Sequence, residues 1–255
     1  MDLALTGRRA LVLGSSSGLG KQVAATLVAE GARVAVVSRD AARAEAARHD
    51  TGAEVALVGD LVHDGTGARL VAEAVAAMGG LDIVIVNTGG GMPGPIMSTD
   101  GADDAAYRSM LRPALEVSRA AAPHVTADGH GRLLYLTARS VVEASPDLAL
   151  SSVFRSGVNA AARSLAIELA PRATANVVVT GQFDTPALDR FEAARAKHEG
   201  RTVAEVRAEH VANIPMGRVG TADEFADVVV FLCSDRASFV NGSTIRIDGG
   251  SVKGF

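Results

Sequence analysis

Two rhythms of apolar residues alternate along this chain. Short unbroken apolar runs occupy 9–13, 33–37, 54–58, 83–86, 132–137, 176–179 and 244–247. Runs of this length, apolar at consecutive positions, predict strands buried on both faces. Between them, apolar residues recur every third or fourth position over 22–30, 71–78, 114–122, 158–169 and 224–232, which predicts amphipathic helices. Strands alternating with helices predict an α/β domain with a parallel sheet, and right-handed crossovers put helices on both faces. The expected fold is a single doubly wound domain over 1–255, with a seven-stranded parallel sheet flanked by helices. One irregular stretch, 183–219, falls between the sixth and seventh predicted strands. It carries charged helical segments at 189–197 and 203–210 and is a candidate lid over a substrate pocket.

Composition narrows the function class. A chain of 255 residues suits one α/β domain, and 48% hydrophobic residues argue for a full core and against disorder. With 25 Lys and Arg against 29 Asp and Glu, and no basic run, no nucleic-acid partner is expected. No apolar run approaches the about 20 residues that cross a bilayer, so no membrane partner is expected. Residues 1–9 hold no basic stretch leading into an apolar one, so the expectation is a cytoplasmic protein without a signal peptide. Cys233 is the single cysteine and sits in an apolar run, which reads as a buried thiol rather than a disulfide or metal ligand. The six histidines show no ligand spacing, so no metal is expected.

The first predicted strand runs into Gly14-Ser15-Ser16-Ser17-Gly18-Leu19-Gly20, after which a helix begins. Glycines let the backbone turn sharply and approach a pyrophosphate, and a helix N-terminus offers free N–H groups to it. In this strand–turn–helix context the loop predicts dinucleotide binding on a Rossmann fold.

The Gly-x-x-x-Gly-x-Gly spacing resembles that of the short-chain dehydrogenase/reductases, especially bacterial 3-oxoacyl-carrier-protein reductases. Asp60-Leu61, Val86-Asn87-Thr88-Gly89, the stretches 217–220 and 230–235, Gly242 and Asp248-Gly249-Gly250 extend the resemblance over nearly the whole chain. Leu13, Val86 and Thr180 depart from the family's usual residues. The resemblance implies nucleotide contacts from Gly14, Ser16, Ser17, Gly18, Leu19, Gly20, Ser38, Arg39, Asp60, Leu61, Asn87, Thr88, Gly89, Arg155 and Thr185. An acid about 20 residues beyond the glycines would bind a ribose 2′-hydroxyl, and Asp40 lies near that distance. The family register instead places Ser38 there, followed by Arg39, whose guanidinium can clamp a 2′-phosphate. The expected cofactor is NADP(H), with NAD(H) as the alternative.

The family's catalytic positions are all replaced. Its Tyr falls on Ser151, its Lys on Arg155, its Ser on Ala138 and its Asn on Met110. An aliphatic hydroxyl cannot be tuned towards neutrality as a phenol can, and a guanidinium stays protonated. Without a proton donor for the developing alkoxide, ordinary ketoreduction is expected to be absent or weak. The Leu148-Ala149-Leu150-Ser151 segment followed by Arg155 resembles a divergent branch of the same family, as does the glycine-rich loop 89–95. The expectation is an enzyme of acyl or polyketide-like small-molecule metabolism in which Arg155 holds the ribose, pairs with a carboxylate or stabilises an enolate. Two alternatives stand beside it: a cofactor-independent dehydratase, isomerase or cyclase, and a non-catalytic nucleotide-binding or partner subunit. Leu13 or Val86 blocking the cleft would favour the first alternative. Tyr135 reads as core, and Tyr107 as the start of a helix near the pocket. Thr137, Ser140 and Asp184 are further pocket candidates, with Asp184 a base if desolvated. The resemblance implies a homo-oligomer, a tetramer or dimer, built through helices at about 107–125 and 150–170.

Overall fold

The computed structural model describes residues 1–143 and 146–253. Seven parallel strands form one sheet: β1 (Arg9–Val12), β2 (Arg33–Ser38), β3 (Val55–Val58), β4 (Ile83–Asn87), β5 (Gly131–Ala138), β6 (Ala173–Thr180) and β7 (Thr244–Ile247). Their order is β3-β2-β1-β4-β5-β6-β7. The chain runs outward from β1 through β2 to β3, then returns to the other side of β1 with β4. The reversal leaves a crevice at the carboxyl ends of β1 and β4, where open α/β sheets bind ligands.

Alternation along each strand feeds two apolar layers. Leu11, Leu13, Val84, Val86, Leu133, Tyr135 and Val177 face one side. There they pack under α3 (Thr66–Met78), α5 (Arg112–Val125) and α6 (Ala149–Glu168). Val12, Val34, Val36, Ile83, Ile85, Leu134 and Val178 face the other, under α1 (Gly18–Ala29) and α9 (Ala222–Cys233). Leu13 and Val86 are therefore in the core, at 0% and 1% exposure, and neither obstructs the crevice. Cys233 lies in the second layer, and burial pushes its thiol up to about 12.

The predicted strands are all present, with ends moved by at most a few residues. The helices begin earlier than the apolar periodicity, because a first turn can be helical without facing the core. Thr221 caps α9 reciprocally with Glu224. A helix absent from the sequence reading, α2 (Ala41–Thr51), is rich in alanine and arginine and so shows no apolar stripe. Asp40 caps it, accepting a hydrogen bond from the Arg43 N–H at 2.8 Å. The helix expected from residue 107 starts instead at α4 (Asp103–Ala106), passes through a π-helical turn at Tyr107–Leu111 and continues as α5.

Between β6 and α9 the candidate lid folds as α7 (Pro186–Glu199) and α8 (Val203–Ala212). Phe183 anchors its base edge-on against Phe225 of α9, with ring centroids 5.1 Å apart. The two lid helices are joined by charge. Glu192 is fully buried and accepts from Arg207 Nε at 2.6 Å and lies 2.9 Å from His210 Nδ1. A second buried carboxylate, Asp82, precedes β4 and accepts from the Arg9 backbone N–H, Nε and Nη2 at 2.7–2.8 Å. Among the described residues, no helix is long and apolar enough to cross a membrane.

Candidate active site

The glycine loop is built by close approach. Gly14 and Gly18 have φ of 60° and 57°, a region that favours glycine. A side chain at Gly20 would place its Cβ 2.4 Å from the Gly14 carbonyl oxygen. That carbonyl also accepts from Asn87 Nδ2 at 3.0 Å, so Asn87 ties the loop to the end of β4. Ser17 precedes α1 in extended conformation, and no side chain caps the helix. The first N–H groups of α1 are thus left open beside the crevice, an arrangement suited to a pyrophosphate. Along the loop Ser16 and Leu19 are partly exposed and Ser17 is exposed. Thr185, the cap of α7, lies 3.8 Å from where a Gly18 Cβ would stand, which sets the start of the lid helix beside the loop.

At the end of β2, Ser38 is buried and its hydroxyl accepts from the Asp40 N–H at 3.3 Å. Asp40 is committed to capping α2, so it does not stand as a free ribose ligand. Arg39 is exposed and makes no hydrogen bond or ion pair among the described residues. Asp60 is half-buried and turns one carboxylate oxygen onto the Val62 N–H at 3.1 Å, with Leu61 packed against the core behind it. Thr88 and Gly89 follow β4 at the crevice. Their loop is held by a residue the sequence reading missed: Ser109 donates to the Gly90 carbonyl at 2.8 Å and leaves no room for a Cβ at Gly89. A serine on a helix carries no sequence signal for such a contact.

Met110, Ala138, Ser151 and Arg155, on which the family's catalytic residues were expected to fall, gather at the ends of β4 and β5. Arg155 of α6 donates from Nη1 to the Leu136 carbonyl at 3.2 Å and from Nη2 to the Gly89 carbonyl at 2.9 Å. Among the described residues no carboxylate reaches it, and desolvation draws its guanidinium down to about 10, which leaves it charged at neutral pH. One turn earlier, Ser151 Oγ lies 3.1 Å from Ser140 Oγ, and Ser140 is buried. Ala138 ends β5 and is half-buried. Met110 is fully buried with Ala106 and Leu150. Its methyl reaches within 2.8 Å of where a Gly91 Cβ would stand. Met110 therefore closes this side of the crevice with an apolar side chain.

Several candidates fall elsewhere. Thr137 is buried and donates to the Val178 carbonyl at 3.1 Å inside the sheet, so it does not meet a ligand. Asp184 is not desolvated: its side chain is 66% exposed and pairs with Arg207 at 3.3 Å. Tyr135 is core, as expected; burial pushes its phenol up to about 12 and Ser118 hydrogen-bonds it at 2.6 Å. Tyr107 is partly exposed, with its ring 6.2 Å from that of Phe154. Among the described residues, no three His, Cys, Asp or Glu side chains come together as a metal cage.

Comparison with known proteins agrees with this geometry. The family described as enoyl-(acyl carrier protein) reductase matches residues 14–252. A 2-dehydro-3-deoxy-L-rhamnonate dehydrogenase (NAD(+)) of Sphingomonas sp. (strain SKA58) is 32% identical, over 96% of this chain and 95% of its own. The NADPH-dependent reductase BacG of Bacillus subtilis (strain 168) is 26% identical over 98% and 99%. Among solved structures, L-sorbose reductase of Gluconobacter frateurii, complexed with NADPH and L-sorbose, superposes with a TM-score of 0.92. It is 25% identical, and the match covers all of both chains. YwfH, an NADPH-dependent reductase involved in bacilysin biosynthesis, gives 0.92 at 26% identity, over 98% of this chain and all of its own. These matches, spanning the glycine loop, the seven-stranded order and nearly every residue between, show that the chain belongs to the short-chain dehydrogenase/reductase family.

Proposed function

We propose that this chain is an NADP(H)-dependent oxidoreductase of acyl or polyketide-like carbonyl compounds, in which ordinary ketoreduction is weak. The observation that carries the reading is Arg39, a guanidinium without a partner among the described residues, at the end of β2 beside a glycine loop whose α1 N-terminus is uncapped. Gly14, Gly18 and Gly20 would admit the pyrophosphate, Asp60 and Leu61 would border the adenine, and Arg155 with Thr185 would border the nicotinamide half. A reduced nicotinamide, when bound, supplies a hydride. The chain's own residues supply charge and hydrogen bonds but no tunable acid, since Ser151 stands where the family keeps tyrosine. The core placement of Leu13 and Val86 removes one ground for the cofactor-independent reading.

Calorimetric titration tests the reading. NADPH is expected to bind more tightly than NADH, and Arg39→Ala to weaken NADPH alone by about ten- to a hundredfold, the range for losing charge-assisted hydrogen bonds. Equal loss for both nucleotides would remove the 2′-phosphate assignment, and no binding of either would remove the reading. We further propose a homo-oligomer, since Val153 and Ile167 of α6 are 55% and 81% exposed. Sedimentation showing a monomer at micromolar concentration would refute that.

A further inference from the structure

We propose that Ser109 and Arg155 are positioning residues that clasp the bare backbone of Gly89-Gly90-Gly91 as the seat of the nicotinamide half of the nucleotide, so that the Arg155 guanidinium is engaged by the loop and not by the ribose. The inference rests on the NADP(H) reading above and deepens it at the same site.

The glycine run begins where the sheet stops. The last rung of the β4–β5 ladder pairs Asn87 with Leu136. Arg155 continues the tie beyond it. Its Nη1 donates to the Leu136 carbonyl at 3.2 Å and its Nη2 to the Gly89 carbonyl at 2.9 Å, so one planar fork binds Gly89 back to β5. A guanidinium presents its N–H groups in fixed geometry and grips two acceptors at once, whereas an ammonium is a point charge on a flexible stem. The next carbonyl, that of Gly90, is held from another element, by the Ser109 hydroxyl at 2.8 Å. Ser109 and Met110 are neighbours in the π-helical turn, and both bear on the run, Ser109 at Gly89 and Gly90 and Met110 at Gly91. Further on, the Gly94 N–H donates to the Asp147 carbonyl at 2.7 Å and fixes the far end of the loop.

None of the three glycines has the positive φ that favours this residue. Gly89 and Gly91 provide room: a Cβ there would stand 2.6 Å from Ser109 Oγ and 2.8 Å from the Met110 methyl. Gly90 has no such neighbour. Nothing lies within 4 Å of where its Cβ would stand, and the residue is exposed at the crevice between two that are clasped. Backbone that is held firmly, carries no side chain and faces open space suits the close approach of a flat ring. Glycines also lose more freedom on ordering than other residues, so a run held before the ligand arrives lowers the cost of binding.

Two ligands and one measurement without ligand test the proposal. NADPH reports both halves of the nucleotide, and adenosine 2′,5′-bisphosphate the adenine half alone. In calorimetry, Arg155→Met and Arg155→Lys are each expected to weaken NADPH by about ten- to a hundredfold and Ser109→Ala by about three- to tenfold, with the bisphosphate unchanged in all three. Gly90→Ala is expected to weaken NADPH about tenfold at an unchanged melting temperature, because its methyl takes space from the ligand and not from the protein. The emission of bound NADPH, which rises when the nicotinamide ring is held, is expected to drop in Arg155→Met. Wild-type affinity in Arg155→Lys would return the cation to the ribose and overturn the proposal, as would wild-type affinity in Gly90→Ala. Equal loss of the bisphosphate and NADPH would overturn it too, since the damage would then reach the whole crevice. Hydrogen exchange of the 88–92 amides in the nucleotide-free protein is expected to be about tenfold faster in Arg155→Met and Ser109→Ala, the effect of losing one held carbonyl. Unchanged exchange would remove the clasp. Faster exchange in a chain that binds no NADPH would uphold the clasp and sink the nucleotide reading instead.

Discussion

A Gly20→Ala chain is expected to fold normally and to bind NADPH at least a hundredfold more weakly than wild type, a difference of about 2.7 kcal/mol. The added methyl would stand 2.4 Å from the Gly14 carbonyl oxygen and 2.9 Å from Asn87 Nδ2. The first of these is backbone and cannot swing away as a flexible side chain does. Either α1 or the Gly14 turn must shift, and the open N–H groups of the first turn leave the place a pyrophosphate would occupy. The loop is partly exposed and the core beneath it is unchanged, so most of the effect should appear in binding. Calorimetry beside a thermal melt distinguishes the outcomes. Wild-type affinity in a folded Gly20→Ala chain would mean that the nucleotide does not depend on this loop.

The second large effect concerns stability. Asp82→Ala is expected to lower unfolding free energy by about 3–5 kcal/mol, the range for removing one partner of a buried ion pair. Asp82 is 5% exposed and takes three hydrogen bonds from Arg9. Without it the Arg9 backbone N–H and much of its guanidinium lose their acceptor, although Asp128 still holds Nη2 at 2.9 Å. Burial alone would raise the Asp82 carboxyl, but hydrogen bonds from the Arg9 side chain and N–H outweigh it and hold the group below the ordinary value. A carboxylate lowered by folding contributes stability that is full above its unfolded pKa, about 3.9, and is lost as pH falls through the lower folded value. The wild-type chain should therefore lose this contribution below about pH 4, and the Ala variant should show a shallower acid limb. Urea unfolding at pH 7, 4 and 3 measures both, and a constant gap between the two proteins across that range would remove Asp82 as the cause.

Much of the fold was legible because a sheet buried on both faces writes itself as unbroken apolar runs. Strand β2 continues to Ser38 and β6 begins at Ala173, where polar or small residues end the apolar signal but not the hydrogen bonding. The α2 helix escaped notice because alanine and arginine on a thinly buried helix give no periodicity. At the site, Ser151, Arg155, Ala138 and Met110 were picked out by the register of the family resemblance, which runs without a gap through 163–171. What register does not reveal is the direction of a side chain or a distant partner. Thr137 turns into the sheet, and Asp184 meets Arg207, 23 positions away. The Ser140–Ser151 contact closes across a loop and needed the folded chain to be seen.

Met110 carries a consequence for any redesign of this site. The π-helical turn turns its thioether inward, where Ala106 and Leu150 enclose it. Met110→Asn by itself would bury an amide among these apolar neighbours, which costs about 1–3 kcal/mol when it finds no partner. A polar group is therefore admitted to this corner of the crevice only together with a partner that satisfies it, and ordinary packing resists each such change made alone.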